Sequence, residues 1–426
     1  MDEWVNELFP LMKTAIKQKI DLVNSMARYG QVPMRTVQIP HFETDSTTPA
    51  VSEQFPYPQS ILRSPTALDW PPQHLHAILR CVELYKDLEK VIFNGHATEH
   101  NTSTLTSILN NFLDDYLEEA VPCHPEYWDD TLFAQLYQQF AQSIKDGQYT
   151  IYNWMPLYNF QMETNALVRL DNDTLITVPT REDWIELKKI DYYALSSSLW
   201  RFERLFMKHT TVHEYYATMD GGIPERANQW LNAVRLVAGG NPKIHEVLMV
   251  PKRGEMRITP WTGGTMVSSI FTIPTGGNRT ILYNKQIPIV KRYVEALQNV
   301  ATEFPILMTR WIIANQRRSA EDRVIDAAIA LESLLLPNDS QELSFRLSLR
   351  GAWLLGSSPE ERKQLLEDFK MVYRTRSKIV HGDAPEHVPD TADVADRLLR
   401  KLIEYLVIGG YKRANWKSHL DKVILG

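Results

Sequence analysis

The stretch SPEERKQLLEDFKMVYRTRSKIVHG, residues 358–382, carries the clearest helix signals in the chain. Ser358 is a typical N-cap residue, Pro359 suits the first helical position and Glu361 stands at the third, as in a capping box. Apolar residues then recur at helical spacing. Gly382 suits the left-handed turn that ends many helices. We therefore predict one long helix here, with His381 at its C-terminus.

One charged residue lies on the apolar stripe of this predicted helix. Arg376 follows Phe369 by seven residues, so its guanidinium should point toward buried surface. Because an unpaired buried charge is costly, Arg376 should meet a carboxylate, a second subunit or an anionic ligand. Glu332, on the apolar stripe of an earlier helix, is the candidate carboxylate. An ion pair that only fixes the bundle and a functional anion contact both remain open from these residues alone.

The segments before this helix also read as helices. Ser319, with the acidic Asp322 at the third position after it, should cap a helix that ends before Pro337, and Ser340 should cap the next. Strand signals are absent from about residue 287 onward, so residues 287–426 are predicted to form an all-helical bundle. Glu332 and Arg350 face inward in this bundle, where we expect them to pair with each other and to serve structure.

The end of the long helix carries a recognisable motif. Residues 376–381 read as R-x4-H, with Tyr373 before the motif and Gly382 after it. Over residues 300–410 the chain resembles HEPN domains, specifically the Apea-like group. The segments that carry the resemblance, in the same order as in that group, are EDRVID at 321–326, ALESLL at 330–335, LSFR at 343–346 and RGA at 350–352.

The resemblance implies a homodimer in which two R-x4-H helices build one composite site that cuts RNA without metal or cofactor. It implies that His381 exchanges the proton during attack of the 2′-hydroxyl on the adjacent phosphate, while Arg376 holds the phosphate. The products would be a 2′,3′-cyclic phosphate and a 5′-hydroxyl. Many members carry Asn, Asp or His directly after the arginine, whereas this chain has Ser377, a hydroxyl donor that we expect to support the site.

Two functions from different classes follow. The first is a metal-independent HEPN endoribonuclease that resembles effectors of anti-phage defence, with residues 1–286 responding to an activating ligand or protein. The second is a non-catalytic scaffold that dimerises through the HEPN bundle and binds a partner or ligand through its N-terminal region. Cleavage of RNA in the presence of EDTA separates them.

The first part of the chain, residues 1–147, is predicted to be mainly helical. Helices are expected over the first 28 residues and at about 74–92, 102–120 and 129–145. Residues 31–65 are rich in proline, serine and threonine, which is typical of an extended crossing segment.

The middle part, residues 148–286, is predicted to be mixed α/β. Two β-like runs at 166–170 and 174–178 should form a hairpin, and a helix is expected near 224–237. Further strands are expected at 246–250, 256–259, 266–273 and 280–283. The aromatic residues at 149–154 are more typical of core packing than of base stacking. Together with the helical flanks this predicts an α+β fold.

Composition limits the remaining classes. A formal charge of −6 argues against a surface that coats nucleic acid broadly, although a local RNA site stays possible. Two cysteines, Cys81 and Cys123, exclude a disulfide framework and suit the cytoplasm. No secretory signal or membrane span is expected. The groupings of Cys123 with His124, His96 with His100, and His209 with His213 lack zinc-site spacing, so no metal is predicted.

Overall fold

The computed structural model confirms the α+β fold class. It describes residues 3–28, 34–40, 49–56, 70–93, 101–120, 128–164, 167–180, 183, 187, 205–215, 224–244, 246–256, 264–267, 280–337 and 341–425. These residues form thirteen α-helices and ten β-strands. By packing, the chain divides into two units that are each discontinuous in sequence. The first comprises Met1–Pro156, Ala166–Ile223 and Ile244–Ser269, and the second comprises Leu157–Asn165, Pro224–Lys243 and Ile270–Gly426.

The N-terminal helices of the first unit follow the predicted periodicity closely. They are α1 (Glu3–Arg28), α2 (Pro72–Leu84), α3 (Lys86–Phe93), α4 (Asn101–Ala120) and α5 (Asp130–Asp146). The helix predicted at 74–92 is in fact two helices, because Tyr85 adopts an extended backbone between α2 and α3. Asp129 caps α5 through its side chain, and Gly147 ends it in the left-handed region. Their apolar faces share one core.

The proline-rich segment, predicted as an extended crossing segment, contains two paired strands. Strand β1 (Met34–Pro40) pairs antiparallel with β2 (Pro49–Pro56), with Met34 opposite Pro56. The described residues of the predicted extended segment are therefore extended, and the sequence did not predict that they pair with each other. Both strands begin or end at prolines, which is where a strand tolerates the missing N–H donor.

A six-stranded antiparallel sheet completes the first unit, with strand order β5-β6-β7-β3-β8-β9. The strands are β3 (Gln148–Pro156), β5 (Val168–Arg169), β6 (Thr174–Thr177), β7 (Phe206–Glu214), β8 (Glu246–Pro251) and β9 (Gly264–Val267). The predicted hairpin is confirmed as β5 and β6, and the Asp171 carboxylate accepts hydrogen bonds from the turn amides of Asp173 and Thr174. The central strands β3 and β7 were not predicted.

Two other strands predicted in this region, at 256–259 and 266–273, lie partly outside the described residues. Met256 lies outside any strand, and residues 257–259 lie outside the described residues. The strand expected at 266–273 is described only as β9, which begins two residues earlier and is described to Val267. Residues 268–273 lie outside the described part.

The second unit is mostly helical. It contains α6 (Glu225–Ala238), α7 (Ile287–Glu303), α8 (Pro305–Gln316), α9 (Ala320–Leu335), α10 (Leu343–Leu355), α11 (Pro359–Val380), α12 (Val388–Gly409) and α13 (Arg413–Leu425). Two short strands, β4 (Phe160–Met162) and β10 (Thr280–Leu282), pair in parallel, and a 3-10 turn (Asn284–Gln286) leads into α7. Whereas the sequence suggested three consecutive regions, packing groups α6 and β4 with the C-terminal helices.

The predicted helix caps of the bundle were partly right. The Ser319 hydroxyl accepts a hydrogen bond from the Asp322 amide and so caps α9. The cap expected at Ser340 was wrong, because the N-cap of α10 is Glu342, which has a left-handed backbone and makes no side-chain cap. Ser340 itself lies outside the described residues.

Among the helices of the described residues, none combines the length and the apolar character that crossing a membrane requires.

Candidate functional site

Helix α11 carries all the predicted site residues, and its start follows the expected capping chemistry. The Ser358 hydroxyl accepts a hydrogen bond of 3.1 Å from the Glu361 amide. The Glu361 carboxylate reaches back to the Ser357 amide at 2.9 Å, one residue before the N-cap that an ideal capping box would use. Both bonds are local, so the register of α11 is set near its first turn.

Close packing against α10 positions the middle of α11. Phe369 is fully buried, and its ring lies where a side chain on Gly351 would have to be: a Cβ there would come within 2.3 Å of the ring. Because glycine has no Cβ, α10 and α11 approach closely at this point. The contact fixes the position of the helix seven residues before Arg376.

Arg376 is half-buried and has only a loose partner. Its Nε lies 3.9 Å from Oε1 of Glu332 on α9, and the two side chains are 29% and 26% exposed. That distance is too long for a hydrogen bond. The Nε atom itself is buried and has no hydrogen-bond acceptor among the described residues. Arg376 thus points inward and lies beside Glu332, as predicted from the apolar stripe. Its Nε–H nevertheless has no hydrogen-bond acceptor among the described residues.

His381 ends α11 and is exposed to solvent. Its amide donates to the Ser377 carbonyl at 3.1 Å. Gly382 follows with φ of +85°, its amide bonds to the Ile379 carbonyl, and the Asp383 amide bonds to the Lys378 carbonyl at 2.9 Å. This is the Schellman pattern, so the predicted glycine termination is confirmed.

The site residues lie at one end of one helix but do not touch each other. Five residues along a helix correspond to a rise of about 7.5 Å. Within the described part of the chain, no hydrogen bond or ion pair links Arg376 to His381. Ser377, which follows Arg376 in the sequence, is half-buried. Its carbonyl accepts a hydrogen bond from the His381 amide. A single chain therefore presents the Arg376 guanidinium and the His381 imidazole at the same helix end without a hydrogen bond between them.

Arg350 fills a structural position, as expected, but the partners that the structure gives it are different ones. Its side chain is buried, its Nη1 donates to the Leu335 carbonyl at 2.7 Å, and its Nη2 lies 3.5 Å from the Asp421 carboxylate. Arg350 thereby ties the end of α9 to α13. Glu332, the expected partner, lies beside Arg376 instead.

Sequence reasoning missed a buried carboxylate in the second turn of α9. Asp326 is only 3% exposed, and its two oxygens accept hydrogen bonds from Arg310 Nη1 at 2.7 Å and Arg317 Nε at 2.9 Å. The carboxylate raises the pKa of the Arg317 guanidinium. The signal was present in the sequence, because Asp326 is followed directly by an alanine-rich apolar run that predicts burial.

The histidine pairs considered as metal ligands have other roles where they are described. His209 Nδ1 lies 2.9 Å from the Thr174 hydroxyl, and His213 Nε2 lies 2.9 Å from the Thr211 hydroxyl. Burial lowers the pKa of His213. The described residues contain no group of three or more ligand side chains that could hold a metal ion. His96, His100, Cys123 and His124 lie outside the described residues.

The aromatic run at 149–154 forms most of β3. Trp154 is buried and packs edge-on against Phe206 of β7, while Tyr149 stacks on Tyr215 at 5.7 Å between ring centroids. These rings pack within the first unit, as the core-packing interpretation expected.

Comparisons of this chain with models of protein families, with curated proteins and with solved structures found no match.

Proposed function

We propose that the protein is a metal-independent HEPN endoribonuclease that acts as a cytoplasmic homodimer and cuts RNA by attack of the 2′-hydroxyl. One observation carries the proposal: a half-buried arginine with an unsatisfied Nε and a solvent-exposed histidine lie at the same end of a rigidly held helix. Such incompletely paired charges are typical of sites that complete themselves with a ligand or a second subunit.

The chemistry divides between the two side chains. Arg376 offers N–H donors to the phosphoryl oxygens, where negative charge builds up during the reaction. His381 takes a proton from the 2′-hydroxyl or gives one to the leaving 5′-oxygen, which histidine does effectively near neutral pH. Each chain contributes one His381, and within one chain Arg376 is not hydrogen-bonded to it. The general acid and the general base would therefore be the two His381 side chains of a dimer.

The surface next to His381 supports a dimer. Val380 is 55% exposed, as is Phe345 on α10, so large apolar side chains face solvent in this bundle. Burying such side chains against a second copy would stabilise the dimer. A two-fold arrangement would place the two α11 ends together.

The test compares matched histidine substitutions. His381→Asn removes the catalytic imidazole, whereas His387→Asn removes a nearby exposed histidine at a position with φ of +56°, which asparagine tolerates. With purified protein, RNA and EDTA, we expect wild type and His387→Asn to cut RNA and leave 2′,3′-cyclic phosphate ends, detected by mass spectrometry. His381→Asn should lose at least about 100-fold in rate.

Cleavage that persists in His381→Asn would contradict the proposal. If no variant and no wild-type preparation cuts RNA while the protein is a dimer by light scattering, the scaffold function takes its place. The position of Glu332 beside Arg376 is the observation that favours that second candidate, since such ion pairs also occur in purely structural bundles.

A further inference from the structure

The outer face of α11, away from its buried residues, carries a row of cations. Lys370, Arg374 and Lys378 follow one another at intervals of four residues, and His381 comes three residues after Lys378. Residues three or four positions apart lie on the same face of a helix. Lys363, seven residues before Lys370, continues the row toward the start of the helix. We call these four cations the basic stripe, and its C-terminal end lies at the imidazole of His381.

The cations at the C-terminal end of the basic stripe are open to solvent and unpaired. Arg374 and Lys378 are exposed, as is His381. Within the described part of the chain, neither Arg374 nor Lys378 forms an ion pair or a side-chain hydrogen bond. Their side chains are therefore available to a ligand.

The sequence around these two cations does not fit a purely structural helix surface. On such a surface, a cation is usually stabilised by a carboxylate three or four positions away. None of the residues at those positions before or after Arg374 and Lys378 is acidic. Like charges four residues apart destabilise a helix instead. The row of cations is thus unfavourable for the isolated helix and favourable for binding an anion.

One carboxylate interrupts the basic stripe near its start. Glu367 accepts a hydrogen bond from Lys370 Nζ at 2.8 Å. That bond, and then the charges of Lys370, Arg374 and Lys363, lower the pKa of Glu367. After Lys370, the next acidic residue in the sequence is Asp383, beyond the end of the helix. This face is therefore positive, although the whole chain has a formal charge of −6.

The spacing of the cations suits a strand of phosphates. Four residues of an α-helix rise about 6 Å, so Lys370, Arg374 and Lys378 present positive charges at even intervals of that size. A nucleic-acid strand carries one negative charge per nucleotide, also at regular intervals. An unpaired strand is flexible and can adjust its phosphates to the spacing of the cations. A single free anion would contact only part of the row.

We propose that the basic stripe binds the sugar–phosphate backbone of a single RNA strand and holds that strand next to His381. The inference rests on the proposed nuclease function and adds the path of its substrate. Contacts to phosphates position a strand without reading its bases. Arg374 and Lys378 are thus positioning residues, and the stripe should bind RNA without strong sequence preference.

The test measures binding of a short single-stranded 2′-O-methyl RNA, which lacks the attacking hydroxyl and is not cut. The full chain is compared with the double variant Arg374→Gln/Lys378→Gln. We expect the double variant to bind about tenfold more weakly at low salt. In a plot of log Kd against log salt concentration, its slope should be smaller by about 1.4, because each phosphate contact on a single strand contributes about 0.7.

The matched control is Lys291→Gln/Lys417→Gln, which removes two exposed lysines from α7 and α13. It changes the net charge by the same amount and should bind the RNA like wild type. No binding of the RNA by wild type, or equal binding by wild type, the double variant and the control, would overturn the proposal.

Glu367→Gln tests the basic stripe in the opposite direction, which a loss of folding does not imitate. The substitution removes the carboxylate that engages Lys370 and leaves a fourth cation free for the strand. We expect binding about threefold tighter than wild type, with a steeper dependence on salt. Unchanged or weaker binding would overturn the proposal that the charge of this face holds the RNA.

Cleavage assays distinguish failure of this proposal from failure of the nuclease proposal. With cleavable RNA, the double variant should show a higher KM and little change in kcat, whereas His381→Asn should lose cleavage and still bind. A protein that cuts RNA and binds it independently of the stripe would overturn this inference alone. A protein that binds RNA through the stripe and never cuts it would overturn the nuclease alone.

A membrane surface is the other polyanion that a row of cations can bind. Vesicles that contain phosphatidylserine are therefore measured beside the RNA. Binding of these vesicles that is lost in the double variant, without any binding of RNA, would overturn the proposal in favour of a lipid surface.

Discussion

Two charged sites of the second unit are built in opposite ways. Around Asp326, one buried carboxylate accepts hydrogen bonds from two arginines, and both of its oxygens are satisfied. At the end of α11, the Arg376 Nε lies 3.9 Å from its nearest carboxylate and His381 faces solvent. The first arrangement is complete within the chain and serves stability. The second is incomplete within the described residues of one chain, and the proposed function assigns its free donors to an anionic substrate.

The largest loss of stability is expected at the complete site. Asp326→Asn removes the charge that both arginines share, so we expect the free energy of unfolding to fall by about 3 kcal/mol in chemical denaturation. Asp393→Asn is the control, because Asp393 is 58% exposed and pairs with one arginine; its loss should cost less than about 1 kcal/mol. Equal effects of the two substitutions would remove the distinction between the sites.

The next effect tests what holds α11 in place. Gly351→Ala puts a methyl group into the Phe369 ring, and relieving that overlap should cost about 2 kcal/mol. Thermal unfolding followed by circular dichroism measures it. A silent substitution would mean that α10 and α11 separate easily, and that the position of Arg376 is not set by packing.

A smaller effect, of opposite sign, is expected at Lys243. Lys243→Met removes a charge that partial burial disfavours and that three arginines repel. The free energy of unfolding at pH 7 should therefore rise, by no more than about 1 kcal/mol because solvent screens a partly exposed charge. The pKa of this lysine is lowered in the folded state, so between about pH 8 and its ordinary value the unfolded chain binds more protons. Wild type therefore gains stability as the pH rises through that range, and the advantage of the variant should shrink. A variant less stable than wild type at pH 7 would contradict this account.

The smallest effect is expected at the incomplete site itself. Arg376→Met keeps an unbranched side chain that can replace the aliphatic part of the arginine, and it loses only a long, partly exposed ion pair with Glu332. The free energy of unfolding should therefore change by less than about 1 kcal/mol. Chemical denaturation of Arg376→Met and of Glu332→Gln measures the free energy of unfolding when each partner of the ion pair is removed in turn. A loss above about 2 kcal/mol in either would favour an ion pair that fixes the bundle.

Local hydrogen bonding explains which features the sequence predicts. The starts of α9 and α11 and the end of α11 depend on residues within five positions of one another, and Ser319, Ser358 and Gly382 act as predicted. Strand β7 was missed because its polar residues make sense only through pairing with β3, about sixty residues earlier. The Ser340 cap was wrong because a left-handed Glu342 begins α10 instead.

The candidate site shows the same limit. The inward direction of Arg376 and the position of His381 follow from helical spacing, whereas the exact distance to Glu332 depends on how α9 and α11 pack. The influence of Arg318 and Arg323 on the pKa of Lys243 could not be predicted, because these arginines follow the lysine by at least 75 residues in the sequence. All three residues belong to the second unit, which is discontinuous in sequence.

The discontinuity of the second unit has a consequence for how the protein is made. Strand β4 leaves the ribosome more than one hundred residues before its partner β10, and α6 precedes the helix α7 that it packs against by about fifty. These early segments must wait for the C-terminal helices before their apolar surfaces are covered. Because α11 is synthesised after β10 and α7, the proposed nuclease site would be completed only once both early segments have their partners.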